Sequence, residues 1–338
     1  MPLGFVNPTH TRPRVMSGMR STGRLHIGHL IGVLNQWAQY CETADAFFEI
    51  ADLHAYTTGF MEPQSIREAR NELVLDWLAA GVDPQRSTIY LQSDIPEISE
   101  LQLLLSMITP LSWLERVPTW KSQIEQLGQE IATYGFLGYP LLQLCDVAIF
   151  RGEFVPVGRD QVAHLEFGRE VVRRFNYLYG DGETILIEPQ ATLSDFPEVP
   201  GTDGRKMSKS YGNTILISDD EETTTKKVRS MVTDPLKIRR NDRGRPEVCP
   251  VFFMWKFVKP GHVPVVEEGC RSGALGCVQD KADFAEALNA YLRPIRERRR
   301  EFGADMAQVE KIITDGSAKA REIAAQTLRE VRRAMKLA

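Results

Sequence analysis

No uninterrupted apolar run approaches the roughly 20 residues that a helix needs to span a bilayer, so no transmembrane segment and no membrane partner are expected. The first residues, Met1-Pro2-Leu3-Gly4-Phe5, lack the basic-then-apolar layout of a secretory signal, which points to a cytoplasmic protein. Cysteine is sparse. Five thiols, an odd number without a regular framework, suit a reducing compartment better than a disulfide scaffold. An excess of one charge is also lacking: 41 Lys and Arg against 45 Asp and Glu leave a net charge of −4. Nothing therefore attracts nucleic acid globally, and any such contact must come from a local basic patch. The common nucleotide signatures are missing as well. There is no G-x-x-x-x-G-K-[ST] loop, no G-x-G-x-x-G after the first strand and no His-Glu-x-x-His.

What is present is an alternation of apolar strands and amphipathic helices. Short apolar runs predict strands at 14–19, 46–51, 88–92, 154–158 and 184–188. Helical patterns cover 27–40, a stretch from Pro63 to a C-cap at Gly81, then 100–107, 113–127, 136–150 and about 161–179. Such alternation marks an α/β fold with a Rossmann-like, doubly wound parallel sheet. Everything beyond about Ser218 reads as helical, ending in a helix with Ile323, Leu328, Val331 and Met335 on one face. The expected organisation is an α/β domain over 1–218 with a helical insertion at about 97–150, then a helical domain over 219–338. Doubly wound sheets bind ligands at the carboxyl ends of their strands, where Met16 to Arg20, Asp52 and His54 fall.

Three features carry chemistry. In Thr22-Gly23-Arg24-Leu25-His26-Ile27-Gly28-His29, two imidazoles lie at the first turn of a helix between glycines. Unpaired N–H groups and a partial positive charge suit that place to phosphate, and glycine permits close approach. Capping, a solvated pair and metal ligation are alternatives, although no acidic third ligand stands beside the pair. In the Pro-, Gly-, Ser- and Asp-rich loop 194–213, Lys206-Met207-Ser208-Lys209-Ser210 offers two ammonium groups that can neutralise phosphates during transfer, or simply face solvent. Asp146 is a single carboxyl in the apolar stretch 141–149, costly to bury without a partner. A helix-surface acid or a structural salt bridge is the plainer reading. Two basic runs, 239–245 and 293–300, fit either solvated faces or phosphate contacts.

Taken together, the histidine and lysine motifs resemble the HIGH and KMSKS sequences of class I aminoacyl-tRNA synthetases. Ser17-Gly18-Met19-Arg20-Ser21-Thr22-Gly23, Gly138-Tyr139-Pro140, Asp146, the segment from Val155 to Gln161 and the segment from Val199 to Arg205 narrow the resemblance to bacterial tryptophanyl-tRNA synthetases. It runs from about residue 14 to the C-terminus. That resemblance implies a homodimeric tryptophan–tRNA ligase that activates L-tryptophan with ATP and Mg²⁺ and charges tRNA(Trp), its helical domain reading the anticodon. His26, His29, Lys206 and Lys209 would be the catalytic groups. ATP would be held by Arg20, Ser21, Thr22, Gly28, His29, Gly158, Arg159, Asp160, Val199, Lys206, Met207, Ser208, Lys209 and Ser210. Asp146 would accept the indole N–H, within a pocket made by Met16, Gly18, His54, Tyr139, Gln143, Val155, Val157 and Gln161.

Several positions depart from the family pattern. Ser21 stands where proline is common, Arg159 where an acid or lysine is usual, and Gln143 where methionine is frequent. A subset of the family holds a 4Fe–4S cluster through C-x22-C-x6-C-x2-C. Here Cys249, Cys270 and Cys277 are spaced C-x20-C-x6-C, with Asp280 in the fourth position. Carboxylate is a poorer match for this soft site. The expectation is a degenerate site without a cluster, against a labile cluster completed by Asp280 or plainly buried cysteines.

Overall fold

The structure, a computed structural model, describes residues 11–158, 161–193 and 198–337. Five strands form one parallel sheet: β1 (Arg14–Arg20), β2 (Asp45–Ala51), β3 (Ser87–Leu91), β4 (Phe154–Val157) and β5 (Gln190–Leu193), in the order β3-β2-β1-β4-β5. The run Asp45–Ala51 is buried along almost its whole length, as a central strand covered on both faces requires. Its side chains alternate between two cores. Phe48 packs with Trp37 and Trp77 on one face, and Phe47 with Tyr90 and Phe150 on the other.

The strand order reverses between β1 and β4, and this places the ligand crevice. β1 pairs with β2 through seven residues, from Arg14↔Asp45 to Arg20↔Ala51, yet meets β4 only at Val15↔Phe154. Pro156 has no N–H to give to a ladder, and its carbonyl is reached by the Ser17 hydroxyl at 3.5 Å. Beyond Phe154 the two strands are therefore free to part, and the crevice opens between them.

Several expected elements differ in detail. Residues 184–188 form no strand; the fifth strand lies at Gln190–Leu193. The Asn176 side chain captures the earlier segment, accepting from the Ile185 and Leu186 N–H groups at 3.1 Å each and donating to Leu186 O at 2.8 Å. The first helix is three pieces, Ile27–His29, a widened π-helical turn Leu30–Leu34, and Asn35–Thr43. Residues 113–127 divide into Leu111–Glu115 and Pro118–Leu127, because Pro118 forces extended backbone at Val117. The Pro63–Ala80 helix ends at Gly81 in the left-handed conformation, as its sequence predicts.

After Ser218 come helices at Glu221–Ser230, Pro250–Val258, Val263–Ser272, Cys277–Ala304 and Met306–Ala334. The intervening 231–249 is irregular apart from one short turn at Pro246–Val248. The last helix returns to the sheet. Ala320, Ala324, Leu328 and Val331 join the same core as Ile98 and Leu101, and Ser317 Oγ accepts the Leu91 N–H at 3.2 Å. The open edge of β3 is thereby covered. Among the described residues no helix is long and apolar enough to cross a membrane.

Candidate active site

A cleft of about 610 Å³ lies where β1 and β4 part. Thr22, His26, Gly28, His29, Gly158, Val199 and every residue from Lys206 to Ser210 line it. Segments far apart in sequence are joined here by backbone. Ile27 N–H donates to Ile215 O at 2.9 Å, and Ile217 N–H to Leu25 O at 3.0 Å, so the histidine turn and the end of the lysine loop form an antiparallel bridge. Lys209 Nζ reaches across the mouth and donates to Thr22 O at 3.0 Å.

Both imidazoles are neutral at pH 7. Burial first, then the neighbouring His29 and Lys209, lower His26 to about 3; burial and Lys209 lower His29 to about 4. The His26 N–H donates to His29 Nδ1 at 3.3 Å. A neutral ring that accepts at Nδ1 carries its proton on Nε2, so His29 presents a donor without presenting a charge. His26 Nδ1 is buried and, among the described residues, has no hydrogen-bond partner. Burial also lowers Lys209.

Asn213, which the sequence reading did not single out, builds the lysine loop. Its Oδ1 accepts the Ser208 N–H at 2.8 Å, its Nδ2 donates to Lys206 O at 3.0 Å and to Asp203 at 2.7 Å, and its carbonyl accepts Thr202 N–H at 3.0 Å. Gly201 makes room for it: a β-carbon there would lie 2.3 Å from Asn213 Nδ2. The only sequence signal was a polar residue closing a glycine-rich loop.

A second cavity of about 360 Å³ adjoins the first and shares His29, Val33, Pro156, Val157 and Gly158 with it. All the residues expected around the amino-acid side chain line it: Met16, Gly18, His54, Tyr139, Gln143, Asp146, Val155, Val157 and Gln161. Asp146 is buried, and its two oxygens meet His54 Nε2 and Gln92 Nε2, each at 2.8 Å. Gln92, at the end of β3, also accepts the His54 N–H at 3.3 Å, which ties the two together. His164 bonds Tyr139 OH at 3.0 Å and Gln161 Oε1 at 2.7 Å, and Gln161 accepts from Gln143 at 3.4 Å. Gln92 and His164 also went unnoticed in the sequence, being single polar residues in apolar surroundings.

Glu49 is the third. Its carboxyl lies in the wall of this cavity with Tyr90 OH donating to it at 2.9 Å, and its ligand atoms fall within 4.8 Å of those of His54 and Asp146. Burial, and then the Asp146 charge, push its pKa well above the ordinary carboxylate range.

Arg20 and Ser21 are placed differently. With Thr22 they line a separate hollow of about 400 Å³, although Arg20 also reaches the second cavity. Arg159 and Asp160 lie outside the described residues. Cys249, Cys270, Cys277 and Asp280 do converge on one cavity, but of only about 20 Å³, room for roughly one water. One Asp280 oxygen accepts the Trp255 N–H at 2.9 Å, and burial pushes the Cys249 thiol up to about 11. A four-iron cluster needs space and thiolates, and these residues as arranged do not fit one.

The basic run 293–300 turns largely inward. Arg293 pairs with Glu221, Arg296 with Thr224 and Asn289, Arg298 with Ala79 O, and Arg299 with Asp76 and Glu72. Arg239, Arg240 and Arg243 of the other run are exposed.

A doubly wound sheet whose switch point is closed by a histidine turn and a lysine loop defines a class I synthetase. The family described as tRNA synthetases class I (W and Y) matches residues 8–293, and the chain belongs to it. Tryptophan–tRNA ligases of Aquifex aeolicus and Thermotoga maritima are 43% and 45% identical, the alignments covering 96% of this chain and 100% and 99% of those proteins. The crystal structure of tryptophanyl-tRNA synthetase from Campylobacter jejuni complexed with ADP and tryptophan superposes with a TM-score of 0.86 at 32% identity, covering 96% of this chain and 100% of that one.

Proposed function

We propose that the chain is a tryptophan–tRNA ligase, with ATP in the larger cleft and tryptophan in the smaller. The observation that carries this is the join between them. The two cavities share the walls His29, Val33, Pro156, Val157 and Gly158, an arrangement that would set a carboxylate bound in one beside an α-phosphate bound in the other. In the first step the tryptophan carboxylate attacks that phosphorus and pyrophosphate leaves, Lys206 and Lys209 being placed to take up its charge, with Mg²⁺ as the further counter-charge the ATP phosphates would carry; in the second, a hydroxyl of the 3′-terminal adenosine of tRNA(Trp) displaces AMP. No protein nucleophile is required, so catalysis is positioning and charge stabilisation. His29 would donate to the α-phosphate region from Nε2, and Lys206 and Lys209 would hold the departing phosphates. Asp146 selects the ring, since an indole N–H can only donate. Phenylalanine would leave that acceptor unpaired at a cost of roughly 1–3 kcal/mol or more. Tyrosine, the other substrate of the family, needs a donor as well as an acceptor for its hydroxyl.

Residues 1–218 would form the catalytic domain and 219–338 the anticodon-binding one, with Arg239, Arg240 and Arg243 as the tRNA-facing charge. Exposed Leu103, Met107 and Leu111 in the first part of the helical insertion support a homodimer. A cytoplasmic location follows from the task. The cysteine cavity would hold no cluster: iron and sulfide assays on anaerobically purified protein should read well below one equivalent.

Amino-acid-dependent ATP–pyrophosphate exchange tests the reading. Exchange should occur with tryptophan and not tyrosine, followed by charging of tRNA(Trp). In Asp146→Ala tryptophan KM should rise by at least about tenfold, with ATP KM nearly unchanged. Exchange with tyrosine instead would overturn the substrate assignment.

A further inference from the structure

Asp76 lies in the middle of the Pro63–Ala80 helix with no solvent exposure. A carboxyl in that position needs partners, and its partners come from two distant parts of the chain. Its Oδ2 accepts the Leu25 N–H at 2.7 Å, and its Oδ1 accepts Arg299 Nε at 2.7 Å. Leu25 immediately precedes His26, the first residue of the histidine turn. Arg299 belongs to the Cys277–Ala304 helix, in the C-terminal half. The same guanidinium reaches Glu72 at 2.5 Å, and Glu72 accepts Arg24 Nε at 2.8 Å. Two consecutive residues of the β1-to-helix connection, Arg24 and Leu25, are thus held by two acids that Arg299 bridges, Arg24 itself being the second cation on Glu72. Arg298 fastens the seam, donating to Ala79 O at 2.8 Å.

We propose that Asp76 and Arg299 are a positioning pair for the ATP site, fixing the Leu25 N–H and through it the pose of His26 and His29. Neither residue lines the cleft, so their effect passes through the backbone of Leu25 and, for Asp76, also through the charge it presents to Lys209. The inference rests on the reading of that cleft as the ATP site. It also accounts for the basic run 293–300: Arg299 faces the catalytic half instead of a nucleic acid, and any movement of the Cys277–Ala304 helix is felt at the histidine turn.

The test uses the full-length protein and the variants Arg299→Met, Arg299→Lys and Asp76→Asn. In ATP–pyrophosphate exchange, Arg299→Met should raise ATP KM or lower kcat at least tenfold while tryptophan KM stays within twofold. Arg299→Lys should recover most of that loss, and Asp76→Asn should fall between, because its amide oxygen still accepts from Leu25 but no longer balances Arg299. Equal shifts for ATP and tryptophan, or unchanged ATP parameters in Asp76→Asn, would overturn the pair as a positioning device. Should Arg299→Met not fold, the lysine and asparagine variants give the same reading. ATP titration by calorimetry separates this inference from the proposed reaction. Wild-type protein without tryptophan-dependent exchange refutes the reaction, whereas ATP affinity and exchange kcat both equal in wild type and Asp76→Asn refute the pair.

Discussion

At Glu49 a second carboxyl faces the cavity beside Asp146, and the two differ in what they accept. Asp146 receives bonds from a glutamine amide and an imidazole, while Glu49 receives only the Tyr90 hydroxyl. Glu49, raised by burial and then by the neighbouring Asp146, keeps its proton. The unfolded chain loses that proton in the ordinary carboxylate range. The stability Glu49 contributes is therefore full below that range and is lost as pH rises towards its folded pKa. Glu49→Gln, which keeps an oxygen for Tyr90 and a donor for Asp146, should lose less stability between pH 5 and pH 8 in urea unfolding than wild type does. Its tryptophan KM should also stay flat at alkaline pH, where the wild-type value climbs. The histidines carry the opposite sign. His26 and His29, lowered to about 3 and about 4, bind fewer protons folded than unfolded between those values and about 6.5. Stability is full above that window and falls within it by up to about 1.4 kcal/mol per pH unit for each ring. Urea midpoints measured from pH 7.5 to pH 5 should show this slope, and His29→Asn should flatten it.

At the scale of elements, the last helix is fitted to the sheet edge at one residue. A β-carbon on Gly316 would stand 1.9 Å from Ile89 O, so helix and strand touch backbone to backbone there. Gly316→Ala must push the Met306–Ala334 helix off β3 and break the Ser317–Leu91 bond, a loss of about 3 kcal/mol or more. Gly303, with nothing within 4 Å of its position, is the contrast: alanine there should be neutral or stabilise by about 0.5–1 kcal/mol. Urea unfolding of the two variants checks both signs. The Gly316 contact marks the boundary of what the sequence discloses. Local periodicity predicts β1 to β4, the Gly81 cap and the inward face of the final helix, because each is written in neighbouring residues. The histidine turn, the lysine loop and Asp146, which the family resemblance and not local chemistry brought together, line two adjoining cavities. Periodicity does not disclose that Asn176 would claim the backbone of Ile185 and Leu186, or that Ser317 would cover a strand edge. These depend on residues brought together by packing. Gln92, Asn213 and Asp76 were invisible for the same reason: each is a single polar residue whose partners are distant or on a loop.

At the scale of the whole molecule, an overall charge of −4 has to coexist with binding a polyanion. Intramolecular pairing resolves part of this. Within 293–300, Arg293 and Arg299 meet acids and Arg296 and Arg298 meet neutral acceptors inside the chain, while Arg239, Arg240 and Arg243 form an exposed cluster in the irregular stretch 231–249. These three sit far along the chain from both cavities and line neither. Replacing all three by alanine should therefore leave ATP–pyrophosphate exchange at the wild-type rate and weaken tRNA(Trp) by roughly tenfold or more. Phosphate contacts release counterions, so the slope of log affinity against log salt should shrink by roughly 0.7–0.9 for each contact removed. Filter binding of tRNA(Trp) between 50 and 200 mM salt reads that slope directly. An unchanged slope would assign the nucleic-acid surface elsewhere on the C-terminal half. A changed slope with unchanged exchange would separate the two tasks of the molecule: ATP chemistry at the switch point of the sheet, and tRNA attraction on a patch of exposed arginines.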